Sequence, residues 1–205
     1  VDSGEAKVLP IAIRKEDIPK ELLALDPNDQ PSLNDLDNIQ LLLRLTTLKQ
    51  TTPSGDVLVA EELLAVVSRI LFSAKNANWS IFSRSLWERS ILETTKAKTI
   101  ERGILQMTSL VEELGVKIKT RVIPEAQDSK NFVASRLRFI HQLPLLSQWQ
   151  MDVKLAEKYM SIGLLRSAVD IYERLNLVSD AALCYAAVGE EKTAEKMLNQ
   201  RIQEY

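Results

Sequence analysis

The chain has 205 residues, 45% of them hydrophobic, with a formal net charge of −2 and a pI of about 5.6. That apolar supply is enough to bury a core and excludes wholesale disorder. The mild acidity argues against direct nucleic-acid binding, whose phosphates call for a basic face.

Cys184 is the single cysteine, so no internal disulfide can form, and a reducing compartment is expected. No apolar run reaches the ~18 residues of a membrane span, so membrane insertion is not expected. The opening "VDSGEAKVLP" has no basic flank followed by an apolar core and does not read as a signal peptide. The chain starts with Val rather than Met and stops inside a helical pattern, and it is expected to be part of something longer.

Four of the seven prolines, Pro10, Pro19, Pro27 and Pro31, fall in residues 1–34. Proline fixes φ and lacks an amide hydrogen, so these residues read as an irregular N-terminal arm packed on the surface. Within it, "VLPIAI" suits an extended run, "KEDIPKELLAL" one short helix and "DPNDQPS" a turn.

Residues 35–150 read as a helical domain of about five helices. In the first, Leu36, Ile39, Leu43 and Leu48 lie near one stripe that Leu42 and Leu45 widen. "TTPSGD" ends it. Asp56 is placed to cap the second, which presents Leu63, Val66, Val67, Ile70 and Leu71. After "SAKNAN" the third carries Trp79, Phe82 and Leu86, with Trp87 beside them. The fourth, about residues 96–118, repeats Ile100, Ile104, Met107, Val111 and Leu114 at alternating steps of four and three. That stripe is short for a coiled coil and fits a face buried against neighbouring helices. "VIPEAQDSKN" is a loop, and the fifth helix carries Phe132, Val133, Leu137 and Ile140 before stopping near Pro144. Nothing alternates with period two for long enough to predict a strand, so the chain is expected to be all-α, with helices of roughly 12 to 22 residues.

Residues 151–205 contain a repeat. "AEKYMSIGLLRSAVDIY" and "ALCYAAVGEEKTAEKML" align without gaps at a shift of 26 residues. Ala156 falls on Ala182, Tyr159 on Tyr185, Gly163 on Gly189 and Ala168 on Ala194, while Tyr172 meets Leu198. The glycine suits a left-handed helix end. The tyrosine one turn earlier offers a ring to the partner helix, and the alanine after the glycine lets two antiparallel helices approach. Each segment is therefore a predicted helix–turn–helix hairpin.

The spacing resembles the tetratricopeptide repeat, although that repeat has a period of about 34 residues. The short connection "LNLVSD" implies a truncated second helix in the first hairpin. Other α-solenoids, vesicle-coat subunits among them, use similar Tyr–Gly–Ala spacing. The expected architecture is an α-solenoid of antiparallel hairpins ending in tetratricopeptide-like repeats.

Three stretches extend the resemblance: "WSIFSRSLWERSILE", "KAKTIERGILQMTSLVEEL" and "SAVDIYERLNLVSDAALCYAAVGEEKTAEKML". In order and wording they are similar to the tetratricopeptide repeat protein 27 family. The matching positions are Trp79 to Phe82, Ile100 to Gln106, Leu155–Ala156 and Ser167 to Leu175, within roughly residues 55–205. The resemblance points to a fungal member and implies an intracellular (cytoplasmic, nuclear or both), non-enzymatic protein with further C-terminal repeats. It also implies links to assembly of large complexes, including chaperone-assisted maturation of the U5 spliceosomal particle, and in fungi to cell-wall maintenance. An α-solenoid subunit of a vesicle coat or membrane tether is the alternative.

No catalytic, cofactor-binding or metal-binding constellation is expected. His141 is the single histidine, which excludes a multi-imidazole metal site and leaves one position for a serine triad; it reads as a helix-end residue. Cys184 reads as a small buried apolar side chain. Lys117, Lys119 and Arg121 read as a solvated helix end, and the acids of "VEEL" and "GEEK" as solvent-facing. Trp79, Trp87 and Trp149 suit helix packing better than a ligand cage. Some repeat proteins of this type hold a chaperone's C-terminal carboxylate with a lysine and an asparagine. Those positions here are Val153 and Glu157, or Ser179 and Leu183, so no such clamp is expected. The protein-binding residues themselves are not legible.

Overall fold

The computed structural model describes residues 31–53, 56–73, 78–114, 132–143 and 146–204, together with Pro19 and Glu21. The chain divides into two units, Val1–Ser32 and Leu33–Tyr205, and the second contains the helices discussed below. The arm's predicted strand-like run, helix and turn, the "VIPEAQDSKN" loop and the Lys117–Arg121 run lie outside the described residues.

Among the described residues the second unit is all-α. Its helices are α1 (Asp35–Thr51), α2 (Val57–Ser73), α3 (Trp79–Glu93), α4 (Ile100–Leu114), α5 (Phe132–Arg136), α6 (Gln148–Ser161), α7 (Leu165–Arg174), α8 (Val178–Val188) and α9 (Glu191–Gln203). Helices adjacent in sequence pack as antiparallel pairs from α1 to α4 and from α6 to α9, and α4 joins the two runs by packing on α6.

Local chemistry sets the helix starts. Asn34 Oδ1 accepts from the Asp37 amide at 2.9 Å, and Asp35 and Asp37 occupy the positive end of α1. Asp56 caps α2, accepting from the Leu58 amide at 2.9 Å, as the sequence predicts. Asn78 caps α3 through the Ser80 amide at 2.9 Å.

Three expectations change. On α1 the buried face is Ile39, Leu42 and Leu45, while Leu36 and Leu43 are exposed: the stripe is rotated toward α2. Helix α4 begins at Ile100 rather than near 96, because the hydroxyls of Thr94, Thr95 and Thr99 donate to Ile91 O, Leu92 O and Glu93 O at 2.7, 2.7 and 2.8 Å and hold a turn instead. The fifth helix stops at Arg136. Residues 137–143 form successive turns, closed by Ile140 N–H to Leu137 O at 3.1 Å and Leu143 N–H to Phe139 O at 2.8 Å. The tighter winding changes the phase, so Phe139 and Leu143 are buried and Leu137 and Ile140 are exposed.

Two helices of the repeat, α7 of 10 residues and α8 of 11, are shorter than predicted, and the unit is half of the 26-residue shift. Tyr159, Tyr172 and Tyr185 stand thirteen residues apart, each near the end of a helix. Their carbonyls accept from the amides of Leu164, Leu177 and Glu190 at 2.9, 2.8 and 2.9 Å. The residues between, Gly163, Asn176 and Gly189, all have positive φ: 81°, 57° and 92°. Three Schellman-type ends thus repeat at one spacing. Five residues after each comes a buried alanine: Ala168, Ala181 and Ala194. The repeating element is one helix plus its turn, and α7, of 10 residues, is short as the "LNLVSD" connection implies.

Gly163 and Gly189 have nothing within 4 Å of where a Cβ would stand, whereas a Cβ on Gly103 would lie 2.8 Å from Ser90 O. Gly163→Ala or Gly189→Ala should therefore cost only the left-handed conformation, about 1–2 kcal/mol. Gly103→Ala should separate α3 from α4 at a cost of about 1–3 kcal/mol. Urea unfolding followed by helical circular dichroism measures both, and a structure of the Gly103 variant would show the widened crossing.

Candidate protein-binding surface

The sequence offers no reactive constellation, so the candidate site is a surface, and the buried charges show what holds it in place. Helix α3 carries two buried acids, each 3% exposed, Glu88 and Glu93. Glu88 accepts from Lys49 Nζ of α1 at 2.7 Å and from Arg84 at 2.9 Å. Glu93 accepts from Arg89 Nε at 2.8 Å and is gripped from both sides by Arg102 of α4, at 3.0 and 2.8 Å. This pairing raises the Arg102 pKa, first through the hydrogen bond and then through the carboxylate's charge. In the repeat, Asp152 of α6 accepts from Arg174 of α7 at 2.8 Å. Each acid is buried and its partners reach toward solvent, so these pairs fix one helix against the next.

The tyrosine hydroxyls make a second set of ties. Thr108 Oγ1 lies 2.9 Å from Ile104 O, to which it donates, leaving it to accept from Tyr159 OH at 2.8 Å; this joins α4 to α6. Tyr172 OH donates to Met160 Sδ at 3.4 Å, and Tyr185 OH to Glu173 Oε1 at 2.8 Å. Burial, and secondarily Asp180, pushes the Tyr172 hydroxyl up to about 12, and the bond to Glu173 raises Tyr185.

The start of α3 is tied to the end of α5. Asn78 Nδ2 and Ser80 Oγ donate to Ser135 O and Arg136 O at 2.5 and 2.7 Å, and the Arg136 guanidinium lies 5.3 Å from the centre of the Trp79 ring.

The residues weighed in the sequence fall as follows. His141 is exposed in the turns after α5. Cys184 is buried in α8, and burial raises its thiol pKa, which disfavours the reactive thiolate. Trp87 is buried and Trp79 half-buried in the main core, but Trp149 is exposed, off the α6 face that carries Met151, Asp152, Leu155 and Ala156. The packing expected of all three tryptophans thus holds for two. Glu112 and Glu113 of "VEEL" are half-buried rather than solvent-facing, as is Glu190 of "GEEK". Among the described residues no group of three or more His, Cys, Asp or Glu side chains could hold a metal, and no helix is long and apolar enough to cross a membrane. At the positions weighed for a carboxylate clamp, Glu157 pairs with Lys154 at 2.8 Å and Leu183 is exposed.

The buried acids Glu88, Glu93 and Asp152 are not singled out by the sequence reading. Asp152 alone stands three and four residues before buried apolar positions, Leu155 and Ala156, whereas the residues at those spacings around Glu93 are Arg89, Ser90, Lys96 and Ala97 and carry no such signal. Leu183, Leu198 and Ile202 leave apolar surface exposed on α8 and α9.

A succession of antiparallel helices with repeated Tyr, left-handed turn and Ala positions defines a helical-repeat protein. Over the segment that matches, the chain is homologous to proteins of the tetratricopeptide repeat protein 27 type. It is 64% identical over 200 residues, 98% of its length, to "Essential for maintenance of the cell wall protein 1" of Saccharomyces cerevisiae, covering 22% of that protein. It is 28% identical to a TPR repeat-containing protein of Schizosaccharomyces pombe, over 92% of this chain and 25% of that one. It is also 28% identical to the tetratricopeptide repeat protein 27 homolog of Dictyostelium discoideum, over 83% of this chain and 18% of that one. The chain thus spans about a fifth to a quarter of the length of these relatives. No family model and no solved structure matches it.

The asymmetry of the Asp152–Arg174 pair makes a test. Arg174→Met leaves Asp152 buried and unpaired and should cost about 3 kcal/mol. Asp152→Asn leaves a half-exposed guanidinium free to hydrate and should cost about 1 kcal/mol. Urea unfolding of the two variants measures the difference.

Tyr172 gives an alkaline signature. Its proton is held more tightly in the folded chain than in the unfolded one, so its contribution is fully present below pH 10 and is lost as the pH rises through about 12. The expected helical unfolding between those values should flatten in Tyr172→Phe, as followed by circular dichroism at 222 nm.

Proposed function

We propose that the chain is part of a non-enzymatic scaffold that binds other proteins during assembly or maturation of large complexes, in the cytoplasm, the nucleus or both. The observation that carries the reading is the thirteen-residue helix-and-turn unit: its recognisable residues Gly163, Gly189, Ala168 and Ala194 are spent on turns and packing, leaving the outer faces free to vary and to bind. The names of the relatives support it: one is called essential for cell-wall maintenance and another a tetratricopeptide repeat protein. Maturation of the U5 spliceosomal particle with chaperone help is the specific role proposed. For a fungal protein, cell-wall maintenance would be the consequence of losing a client complex. The short repeat unit also suits a vesicle-coat or tether subunit, which is the second reading.

Affinity purification of the full-length protein from cell extract distinguishes these. Recovery of chaperone-system or spliceosomal assembly components is the expected result. Recovery of coat components with a punctate membrane distribution would favour the second reading, and recovery of neither set would count against both.

A further inference from the structure

Between α2, the end of α3 and the start of α4 lies a cavity of about 190 Å³. Its charged lining is Arg89, Lys96, Arg102 and Glu93, three cations to one carboxylate, and its apolar lining includes Leu64 and Leu92. Glu93 is buried and fixes both arginines through three hydrogen bonds of 2.8 to 3.0 Å. One negative charge shared by two guanidiniums leaves a positive surplus. Arg89 spends only its Nε on Glu93, and its terminal amino groups make no further bond among the described residues. Lys96 reaches Glu61 at the rim, on the half-exposed side of the cavity. Such an arrangement is a preorganised anion seat: the cations are already oriented, and a second carboxylate or a phosphoryl group would accept from donors that need not be rearranged.

The cavity opens onto the outer face of α4. Arg102 belongs both to it and to the adjoining groove lined by Lys98, Glu101, Leu105, Gln106 and Ser109, in which Lys98 offsets the Glu101 carboxylate in formal charge and Leu105 is 61% exposed. Arg102 and Leu105 are neighbours at i, i+3 on that helix. The surface therefore pairs a positive pocket with an apolar contact one short step away, complementary to an extended segment in which an anionic side chain is followed closely by an apolar one.

We propose that this cleft docks an acidic–apolar linear segment of a partner protein, with the anionic side chain seated on Arg89, Lys96 and Arg102 and the apolar side chain on Leu105. The proposal rests on the scaffold reading and assigns the chemistry of one partner contact. The anion is the carboxylate of an Asp or Glu, the group these guanidiniums already hold in Glu93.

The test uses fluorescence anisotropy on the 205-residue chain. The probes are labelled Gly/Ser peptides with the central sequence Glu-Asp-Glu-Leu-Leu, the same with phosphoserine in place of Asp, and the neutral Gln-Asn-Gln-Leu-Leu. Binding of the Glu-Asp-Glu probe and not of the neutral one is expected, and binding of the phosphoserine probe alone overturns carboxylate recognition. Lys96→Glu with Arg102→Gln should weaken that binding at least about tenfold, while Lys192→Glu on α9 should leave it unchanged. If the double variant proves unfolded by circular dichroism, Lys96→Gln alone, which touches only an exposed pair with Glu61, should still weaken binding measurably. Failure of the wild-type chain to prefer acidic probes, or equal binding by wild type and the folded cleft variant, overturns the proposal. Purification of the full-length variant separates the two levels. Partners kept by the variant sink the cleft and leave the scaffold standing, whereas a wild-type protein that recovers no partner sinks the scaffold.

Discussion

The packing of Leu33–Tyr205 depends on burying a helix that is only moderately apolar. Helix α3 reads "WSIFSRSLWERSILE", yet Ser80, Ser83, Ser85, Glu88, Ser90 and Glu93 are buried beside Ile81, Leu86 and Trp87. It is covered by α2 and α4 and also touches α1. A helix enclosed on so many sides would ordinarily be hydrophobic all round. Here small side chains let neighbours approach, and two of the serines find partners within the helix itself. Ser85 Oγ and Ser90 Oγ each donate back to the carbonyl four residues earlier, at 2.7 Å. Gly103 lies against Ser90 and Thr94 and lets α4 come close.

Closeness has a consequence for charge. With α4 near α3, Arg102 can hold both oxygens of Glu93, and with α1 alongside, Lys49 can reach Glu88. These contacts are net stabilising only while the acid is fully paired, because an unpaired carboxylate in the same place would bear its desolvation cost alone. The ion pairs therefore act less as glue than as a condition on geometry: a crossing that shifted enough to separate Glu93 from Arg102 would be penalised, and nearby crossings are thereby excluded. The cleft around Arg89, Lys96 and Arg102 inherits its shape from the same condition.

What could be read from the sequence was local. Gly163, Gly189, Ala168 and Ala194 declare a turn and a close approach by residue type, and the structure places all four in those roles. Asp56 declares a cap in the same way. Asn176 was hidden because asparagine enters the left-handed region less often than glycine, so the middle turn of the thirteen-residue series was masked and the period looked twice as long. The burial of Glu88, Glu93 and Asp152 was hidden for a different reason: it is decided by helices far away in sequence, which no local window contains. The turns at 137–143 lie between these cases, since an apolar spacing compatible with a helix was overridden by tighter winding that buries Phe139 and Leu143 instead.

The repeat shows how burial accumulates along such a chain. Tyr159, Tyr172, Tyr185 and Leu198 occupy one position in four successive units: Tyr172 is 3% exposed, Tyr159 and Tyr185 are half-buried, and Leu198 is 40% exposed. The turns that follow the three tyrosines are alike, so the unit itself does not set the greater exposure of Leu198. That exposure comes from neighbours. The three tyrosines sit on α6, α7 and α8, each with a helix packed on either side, whereas Leu198 sits on α9, which among the described helices packs on α8. Stability in this arrangement is the sum of unit and interface contributions rather than a property of a single core. The residues that make an interface are therefore the same ones that become exposed apolar surface wherever an interface is missing.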